Sequence, residues 1–415
     1  MNTIKVAGII AEYNPFHNGH RYQIEEVRRQ TGADYVIAAM SGDFVQRGAC
    51  AIFDKYTRAH MALCGGADLV VELPSLFATS SAEDFAACGV ALLDQLGADI
   101  LCFGSESGNL TSLQTAAHLL AEEPPEWKDL LQKYLKQGET YPTARSRAME
   151  ALTNDPELSK LLASPNNILA VEYLKALKKR QSPMSPVTIQ RRGAGYHDTD
   201  LPVSLASASA IRSLIQRQPE DLSPQLARQL PPASLSALLA ENALSAPLFP
   251  DDLTELLHAR LLFTLHEKER LDRFADLSPE LAARLTRQAL QFASYTERIS
   301  QLKTKGYTYT RISRALLHLI LGITQQQIQE AKALGYAPYA RILGFQKSAA
   351  PLLSHLRKTS QIPLITKTAD AKNLLSEEAL SMLETDFYVS HLYQSLLAQK
   401  GRSIRNEYTK SVIVL

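Results

Sequence analysis

The sequence is poor in cysteine and tryptophan, and it lacks any excess of charge of one sign. Its 415 residues include four cysteines and one tryptophan, and 44 basic against 43 acidic side chains leave a net charge of +1. No two cysteines form a C-x-x-C pair, which argues against zinc, and their spacing does not resemble a disulfide framework. A hydrophobic fraction of 45% excludes a disordered chain, a collagen-like fibre and an acidic solvating chain.

Long apolar runs are also missing. No stretch approaches the ~20 apolar residues of a membrane span, and the run from Val6 to Ala11 is too short for the core of a signal peptide. We therefore expect a cytoplasmic protein with reduced thiols, and neither a membrane nor DNA as a partner.

The small net charge conceals an asymmetry along the chain. Residues 1–180 hold 17 basic and 22 acidic side chains, a net of −5, whereas residues 301–415 hold 15 and 7, a net of +8. A basic C-terminal part is a candidate surface for a polyanion. The alternative is that these charges are scattered over solvated helix faces.

Short apolar runs alternate with amphipathic segments over the first 110 residues. This alternation predicts a doubly wound parallel sheet of the α/β class, followed by a mostly α-helical C-terminal domain. The length suggests two or three domains at about 150 residues each, and we place them at residues 1–215 and 216–415. The predicted strands are 5–11, 35–40, 68–73 and 99–103, with 187–190 as a candidate fifth strand. The predicted helices include 19–30, 54–64, with Asp54 as N-cap, and 81–96.

The most informative segment runs from Glu12 to His20 and contains the pattern His17-Asn18-Gly19-His20. It follows a predicted strand and opens a predicted helix, where free backbone N–H groups and the helix dipole favour an anion. Gly19 permits close approach of a phosphate. Two imidazoles at this place can donate hydrogen bonds to phosphate oxygens and stabilise charge during displacement at phosphorus.

Two other interpretations of this segment remain open. The two histidines of such a short pattern can belong to a polar surface turn, although the order of strand, motif and helix favours function. A zinc site is the third possibility, but no other cysteine or histidine obviously completes it.

The segment and eight others together resemble the bacterial tRNA(Met) cytidine acetate ligase family. This family lies within the nucleotidyltransferase superfamily that carries His-x-Gly-His after its first strand. The resembling segments are GIIAEYNPFHNGH (8–20), MSGDFVQRG (40–48), DKYTR (54–58), GADLVVELP (66–74), FGSE (103–106), SPNNIL (164–169), RGAGYHD (192–198), SASAIR (207–212) and YTYTRISR (307–314).

The resemblance implies an ATP-dependent ligase. Acetate and ATP would form an acetyl-adenylate with release of pyrophosphate, and the acetyl group would pass to the exocyclic amine of the wobble cytidine of elongator tRNA(Met), giving N4-acetylcytidine. ATP, acetate and this tRNA are the implied partners, and Mg²⁺ is expected with ATP.

The resemblance also implies a set of ATP-binding residues, with His17 and His20 on the phosphates as catalytic residues. An Asn falls on Asn166 or Asn167, of which we favour Asn167, and the alternative role for the pair is a helix N-cap. An Arg falls on Arg191 or Arg192, of which we favour Arg192. The remaining implied ATP contacts are Ile10, Ala11, Glu12, Tyr13, Asn14, Pro15, Phe16, Asn18, Gly19, Arg21, Tyr22, Gln23 and Gly104.

The segment SASAIR resembles the mobile second motif of these nucleotidyltransferases. Ser207 and Ser209 at a helix start, with Arg212, fit a clamp that closes on phosphate, and the alternative is a plain capped helix. Asp43 and Arg47 follow the second predicted strand, where they hold Mg²⁺ or acetate or else form a structural ion pair.

Basic and aromatic side chains alternate in the C-terminal part, a mixture that suits an RNA backbone and splayed bases. We expect Lys303, Lys305, Arg311 and Arg314 to bind RNA, and the alternative for the last two is one face of an amphipathic core helix. The wider set includes Lys332, Arg341, Lys347, Tyr307, Tyr309, Tyr336 and Tyr339.

Two competing functions belong to other classes. A nucleotidyltransferase for a small molecule, of the pantothenate or pantetheine-phosphate type, leaves the basic helical part unexplained. A non-catalytic RNA-binding protein with a dead nucleotide site is opposed by the presence of His17, Gly19 and His20.

Overall fold

A mostly parallel sheet forms the centre of the computed structural model, which describes residues 4–191, 206–217 and 224–415. The strands in chain order are β1 (Val6–Ala11), β2 (Tyr35–Ser41), β3 (Phe44–Val45), β4 (Ala49–Cys50), β5 (Leu69–Leu73), β6 (Ile100–Ser105), β7 (Ser185–Gln190), β8 (Ala340–Phe345), β9 (Leu364–Ile365) and β10 (Ile413–Val414).

Helices cover both faces of this sheet. In chain order they are α1 (Asn18–Thr31), α2 (Lys55–Cys64), α3 (Ser75–Ala78), α4 (Ala82–Gln95), α5 (Leu110–Glu122), α6 (Pro125–Lys136), α7 (Tyr141–Thr153), α8 (Pro156–Leu161), α9 (Pro165–Arg180), α10 (Ala208–Arg217), α11 (Pro224–Gln229), α12 (Pro232–Ala240), α13 (Thr254–His266), α14 (Pro279–Arg287), α15 (Tyr295–Leu302), α16 (Tyr309–Leu321), α17 (Gln325–Ala333), α18 (Ala350–Thr359), α19 (Ala371–Leu374) and α20 (Glu377–Gln399). Within the described ranges, none of them is long and apolar enough to cross a bilayer.

The order of the strands places a crevice at the end of β1. The main sheet runs β10-β8-β5-β2-β1-β6-β7, with β9 beside β8. The chain adds β2 and β5 on one side of β1 and then returns to add β6 on the other side. Ligands of such sheets bind at the carboxyl ends of the strands where the winding direction changes. The loop after β1, which carries the two histidines, lies at that point.

The predicted α/β fold is confirmed, and the five predicted strands appear as β1, β2, β5, β6 and β7. The prediction missed β8, β9 and β10, which come from beyond residue 215 and extend the same sheet. Strand β8 is antiparallel to β5, and the charged Arg341 interrupts its apolar run. Strands β9 and β10 have two residues each, which is too short to show a strand period in the sequence. The domain boundary at 215/216 stays a prediction.

Alternate residues of the central strands enter two separate apolar clusters. In β2, Ile37 and Ala39 belong to a cluster with α4, α5, α9 and much of the C-terminal half. Val36, Ala38 and Met40 belong to a second cluster with α1, α2 and α10 to α12. A strand buried on both faces is apolar at nearly every position, which explains the nearly continuous apolar runs that predicted the central strands.

Four buried charged side chains join the C-terminal half to the sheet. Lys55 Nζ of α2 lies 2.8 Å from Glu72 Oε1 of β5 and 2.9 Å from Glu407 Oε2. Arg341 Nη1 of β8 lies 3.0 Å from Glu72 Oε2, and the same guanidinium pairs with Glu407. Burial alone would raise the pKa of Glu407, but Lys55 and Arg341 lower it to about 2. The group is therefore a neutral set of two cations and two anions.

We expect Glu407→Gln to destabilise the fold by about 3–5 kcal/mol, because it leaves the two buried cations with one carboxylate between them. Urea unfolding followed by circular dichroism measures the change. The matched control is Glu157→Gln, which breaks an exposed ion pair with Lys160 and should cost less than about 1 kcal/mol. Equal stability of the two variants would contradict the role assigned to the buried group.

Candidate active site

The two histidines of the motif cap helix α1 through reciprocal hydrogen bonds. His17 is the N-cap, and its Nδ1 accepts a hydrogen bond from the Gly19 N–H at 3.0 Å. His20 Nδ1 accepts one from the His17 N–H at 3.2 Å. The rings stack with their centroids 3.8 Å apart. This arrangement is a capping box in which imidazoles replace the usual hydroxyl and carboxylate.

The capping bonds also decide which nitrogen of each ring carries the proton. Because both Nδ1 atoms accept backbone N–H groups, each neutral ring is protonated on Nε2. Burial, followed by the positive charges of Arg191 and Arg212, lowers the pKa of His17 to about 3. Burial, His17 and Arg191 lower the pKa of His20 well below its usual value. At neutral pH both rings are therefore uncharged, and each offers one N–H group as a hydrogen-bond donor.

Gly19 lets the His17 ring lie over the first turn. A Cβ built at this glycine would lie 2.8 Å from His17 Cε1 and 3.0 Å from its Nδ1. Any side chain at this position therefore displaces the capping imidazole. The first turn of α1 contains no acidic residue, which suits an incoming anion.

The loop before the histidines is held by aromatic packing and backbone contacts. The buried ring of Tyr13 meets Phe16 edge-on at 4.9 Å and His20 at 4.8 Å. Asn14 Oδ1 accepts a hydrogen bond from the Ile52 N–H at 2.8 Å. Of the remaining candidates before the helix, Ile10 and Ala11 end β1, and Pro15 is buried in the loop.

Four further candidate residues lie on α1, with Asn18 inside the capping turn and the other three after it. Asn18 Nδ2 donates to the Arg228 carbonyl at 2.8 Å, and Arg21 forms an exposed ion pair with Glu25. Tyr22 and Gln23 lie on the same helix, where Gln23 Nε2 is 3.9 Å from Cys102 Sγ of β6. The structure thus brings the start of α1 next to the end of β6.

The loop after β6 contributes Glu106, which caps helix α9. Its Oε1 accepts from the side-chain amide of Asn166 at 2.7 Å, and its Oε2 accepts from the Asn167 N–H at 2.7 Å. In return, the buried Asn167 Oδ1 accepts from the N–H groups of Glu106 and Ser107 at 3.0 and 3.1 Å. The helix is therefore capped by Glu106, and both asparagines take part in fixing this loop.

Arg191 borders the histidines from the far side of β6. Its N–H donates to the Ser105 carbonyl at 2.9 Å, and its charge acts on both His17 and His20. A Cβ at Gly104 would lie 3.5 Å from Arg191 Cγ, an ordinary contact. Arg192, which the sequence favoured over Arg191, and the rest of segment 192–198 lie outside the described residues.

Helix α10 brings the second motif against the first. Arg212 Nη1 donates to the Asn14 carbonyl at 2.7 Å, and its Nη2 donates to Ser209 Oγ at 3.1 Å. Ser207 Oγ accepts from the Ala210 N–H at 3.2 Å, so this serine caps the helix. The helix is therefore capped and carries an arginine that reaches the histidine loop, and its closure on phosphate stays a prediction.

A β-hairpin, β3–β4, connects the histidine loop to the C-terminal helices. The Gln46 N–H at its tip donates to Glu12 Oε1 at 3.1 Å. The Gly48 carbonyl accepts hydrogen bonds from Tyr295 Oη at 2.7 Å and Ser313 Oγ at 2.8 Å. Gly48 has a φ of +80°, and a Cβ there would lie 2.4 Å from Arg314 N, so only glycine fits.

Asp43 and Arg47 do not form the ion pair that the sequence left open as one alternative. Asp43 Oδ1 accepts from the Lys55 N–H at 2.7 Å, and its Oδ2 accepts from the Ser390 hydroxyl. Burial raises the pKa of Asp43 to about 6. Asp43 is therefore a structural residue, and Arg47 lies on the hairpin, where its charge acts on Arg191.

A protein-built metal site is not visible in the described ranges. No group of three or more His, Cys, Asp or Glu side chains there can hold a metal ion, so the zinc alternative finds no support. The carboxylates of Asp43 and Glu106 are occupied by hydrogen bonds within the protein. These residues do not fit a resident Mg²⁺ site.

Comparison with known proteins identifies the family. A sequence model described as HIGH nucleotidyl transferase matches residues 4–408. The chain is 37% identical to tRNA(Met) cytidine acetate ligase of Acetivibrio thermocellus over 99% of this chain and 100% of the relative. It is 39% identical to the protein of the same name from Thermoanaerobacter sp. over 96% of each chain. The chain belongs to the tRNA(Met) cytidine acetate ligase family of HIGH nucleotidyl transferases.

Two solved structures of a family member share the fold of this chain. Thermotoga maritima TmcAL in its apo form has a TM-score of 0.91 at 31% identity, over 99% of both chains. The same protein bound with alpha-thio ATP has a TM-score of 0.88, also at 31% identity and 99% coverage of both chains. The predicted family is confirmed.

The basic residues expected to bind RNA fall into two groups. Lys303 and Lys305 are exposed in the loop between α15 and α16. Arg314 is 11% exposed and forms an ion pair with Asp276 at 3.0 Å. The guanidinium of Arg311 lies 5.1 Å from the centre of the Tyr307 ring. The two lysines are therefore the most accessible cations of the four.

Other members of the wider basic and aromatic set are structural. Arg341 and Tyr339 are buried, the first in the ion group of β5 and β8 and the second donating to Asp386 at 2.6 Å. Lys332 pairs with Asp84 at 2.7 Å. The helical face that carries Arg314 and His318 also points inward, because His318 is 1% exposed.

Arg58, whose role was not predicted from the sequence, organises the end of β1. This fully buried side chain donates from Nε to the Phe53 carbonyl at 2.8 Å and from Nη1 to the carbonyls of Glu12 and Ser41 at 2.7 and 3.1 Å. The segment Asp54–Arg58 did stand out by its resemblance. Sequence alone does not show whether the Arg58 guanidinium binds a ligand or backbone carbonyls.

We expect Gly19→Ala to lower ATP-dependent activity at least about 100-fold, because the added methyl group displaces the His17 ring. Acetate-dependent exchange of labelled pyrophosphate into ATP measures the effect. Gly306→Ala is the matched control, since a Cβ at Gly306 meets only the Thr304 hydroxyl, at 4.0 Å. Exchange rates within about threefold of each other in the two variants would contradict this role.

Proposed function

We propose that this protein activates acetate with ATP as acetyl-adenylate and transfers the acetyl group to the exocyclic amine of the wobble cytidine of elongator tRNA(Met), giving N4-acetylcytidine. The observation that carries the proposal is the pair of neutral imidazoles that cap α1 at the switch point of the sheet. Full-length relatives that carry the name of this activity support it.

The first step needs alignment and charge neutralisation but no protein nucleophile. An acetate oxygen attacks the α-phosphorus, the bond to the bridging oxygen breaks, and pyrophosphate leaves. The Nε2–H groups of His17 and His20 donate to the phosphate oxygens as negative charge grows there. Arg191 and Arg212, whose charges already act on His17, add fixed positive potential around the same point.

ATP is proposed to lie across the ends of β1 and β6, in contact with the loop from Ile10 to Gln23. Asn167, Gly104, Arg191 and the α10 serines border this crevice, and a contact of Arg192 with ATP remains a prediction. We propose that Mg²⁺ accompanies ATP, held by its phosphates and by water rather than by a protein cage. Mg²⁺ would neutralise phosphate charge.

The second step places RNA on the basic C-terminal part. Residues 301–415 carry a net charge of +8, and the exposed Lys303 and Lys305 precede α16, which packs on the active-site hairpin. We propose that these lysines contact tRNA phosphates while the anticodon reaches the adenylate. The division into a catalytic part, 1–215, and an RNA-binding part, 216–415, belongs to this proposal, and a cytoplasmic location stays a prediction.

The proposal is tested by separating its two steps. We expect the purified protein to exchange pyrophosphate into ATP only with acetate present, and to transfer label from acetate to cytidine in tRNA(Met). His20→Ala should abolish both, because it removes a phosphate donor. Label that remains on small molecules would favour a small-molecule nucleotidyltransferase, and tRNA binding without any exchange would favour a non-catalytic RNA-binding protein.

The RNA surface is tested by the double variant Lys303→Ala and Lys305→Ala. It should weaken tRNA binding and reduce the slope of log affinity against log salt by about one to two, because each phosphate contact releases counterions. Filter binding across salt concentrations measures both. The control pair is Lys128→Ala and Lys136→Ala on α6, which are also exposed. Equal effects of the two pairs would contradict a specific role for Lys303 and Lys305.

A further inference from the structure

Acidic side chains lie at the carboxyl ends of four neighbouring strands. Glu12 follows β1, Asp43 follows β2, Glu72 lies near the end of β5, and Glu106 follows β6. All four belong to the edge of the sheet that carries the two histidines. Carboxylates at such an edge either hold the fold together or act on the substrate, and their hydrogen bonds distinguish these roles.

Three of the four carboxylates use both oxygens within the protein. Asp43 accepts from the Lys55 N–H and the Ser390 hydroxyl. Glu72 pairs with Lys55 and Arg341 through its two oxygens. Glu106 accepts from Asn166 with one oxygen and from Asn167 with the other.

Glu12 differs from these three. Its Oε1 accepts a single hydrogen bond, from the Gln46 N–H at 3.1 Å, and its Oε2 has no hydrogen bond or ion pair to any described residue. The side chain is half-buried. Its backbone is fixed by Arg58, which donates to the Glu12 carbonyl at 2.7 Å. A fixed carboxylate with one oxygen left over is suited to accept a proton.

The position of Glu12 joins the two halves of the proposed reaction. On one side its loop continues through Tyr13, whose ring contacts His20, to the phosphate donors. On the other side its carboxylate meets the tip of hairpin β3–β4, whose Gly48 carbonyl is bound by Tyr295 and Ser313 of α15 and α16. Glu12 therefore lies between the adenylate site and the helices proposed to bind tRNA.

We propose that Glu12 is the general base of the acetyl-transfer step, a role that rests on the proposed function above. The cytidine amine attacks the carbonyl carbon of acetyl-adenylate and forms the new C–N bond. The bond from that carbon to the AMP phosphate oxygen breaks, and AMP leaves with the electron pair. The proton lost by the amine passes to Glu12 Oε2 and then to solvent.

The experiment compares two acceptors of the same acetyl group. Hydroxylamine is a strong nucleophile that captures acetyl-adenylate as acetohydroxamate without a general base, whereas the cytidine amine needs one. Glu12→Gln keeps the oxygen that accepts the Gln46 N–H and loses only the basic oxygen. We expect the ratio of tRNA acetylation to hydroxamate formation to fall at least about 100-fold in Glu12→Gln, with tRNA affinity measured in parallel to exclude loss of binding.

Two further variants make the outcome decisive. Glu12→Asp, which retains a carboxylate, should recover part of the tRNA acetylation, whereas His20→Ala should lower both products together. An unchanged ratio in Glu12→Gln, or an equal ratio for Glu12→Asp and Glu12→Gln, overturns the role of Glu12 as a base. Failure of the wild type to form hydroxamate from acetate and ATP would instead overturn the proposed function, and the role of Glu12 with it.

Discussion

The buried group of Lys55, Glu72, Arg341 and Glu407 is the constraint on which the arrangement of the whole chain depends. The four charges come from α2, β5, β8 and the segment between α20 and β10, and each is paired within the group. A buried charge left without its partner is costly, so the C-terminal segment has to close on the sheet that the N-terminal half begins. The group thereby fixes β8 beside β5 and holds α2 against the edge of the sheet where the candidate site lies.

Helix α2 connects this buried group to the candidate active site. Arg58 of the same helix binds the carbonyls at the ends of β1 and β2, and so it determines where the histidine loop begins. The capping bonds at α1 then place both imidazoles and fix their protonation. We propose that these neutral donors at a helix N-terminus, with two guanidinium groups near them, bind the phosphates of ATP.

Some features followed from the sequence because local physics determines them. Strands buried on both faces are apolar at nearly every position, which predicts β1, β2, β5 and β6 from the sequence, and the position of Asp54 alone predicts it as an N-cap. Other features were hidden because their cause is distant along the chain. Arg341 reads as one more base in a basic region, yet it is buried against residues from three other segments, and Arg314 pairs with Asp276 instead of facing solvent.

The sequence by itself therefore determined the fold class and the family and predicted the place of the phosphate site, since these depend on periodicity and on a motif at a strand-to-helix turn. Tertiary structure alone decided which charged side chains are free to act. Lys55, Asp43 and Glu106 are bound to partners inside the protein. Lys303 and Lys305 are exposed to solvent, and one oxygen of Glu12 has no hydrogen bond to a described residue. The physical reason is that a charge is satisfied by whatever lies within a few ångströms in space, and sequence spacing does not report that distance.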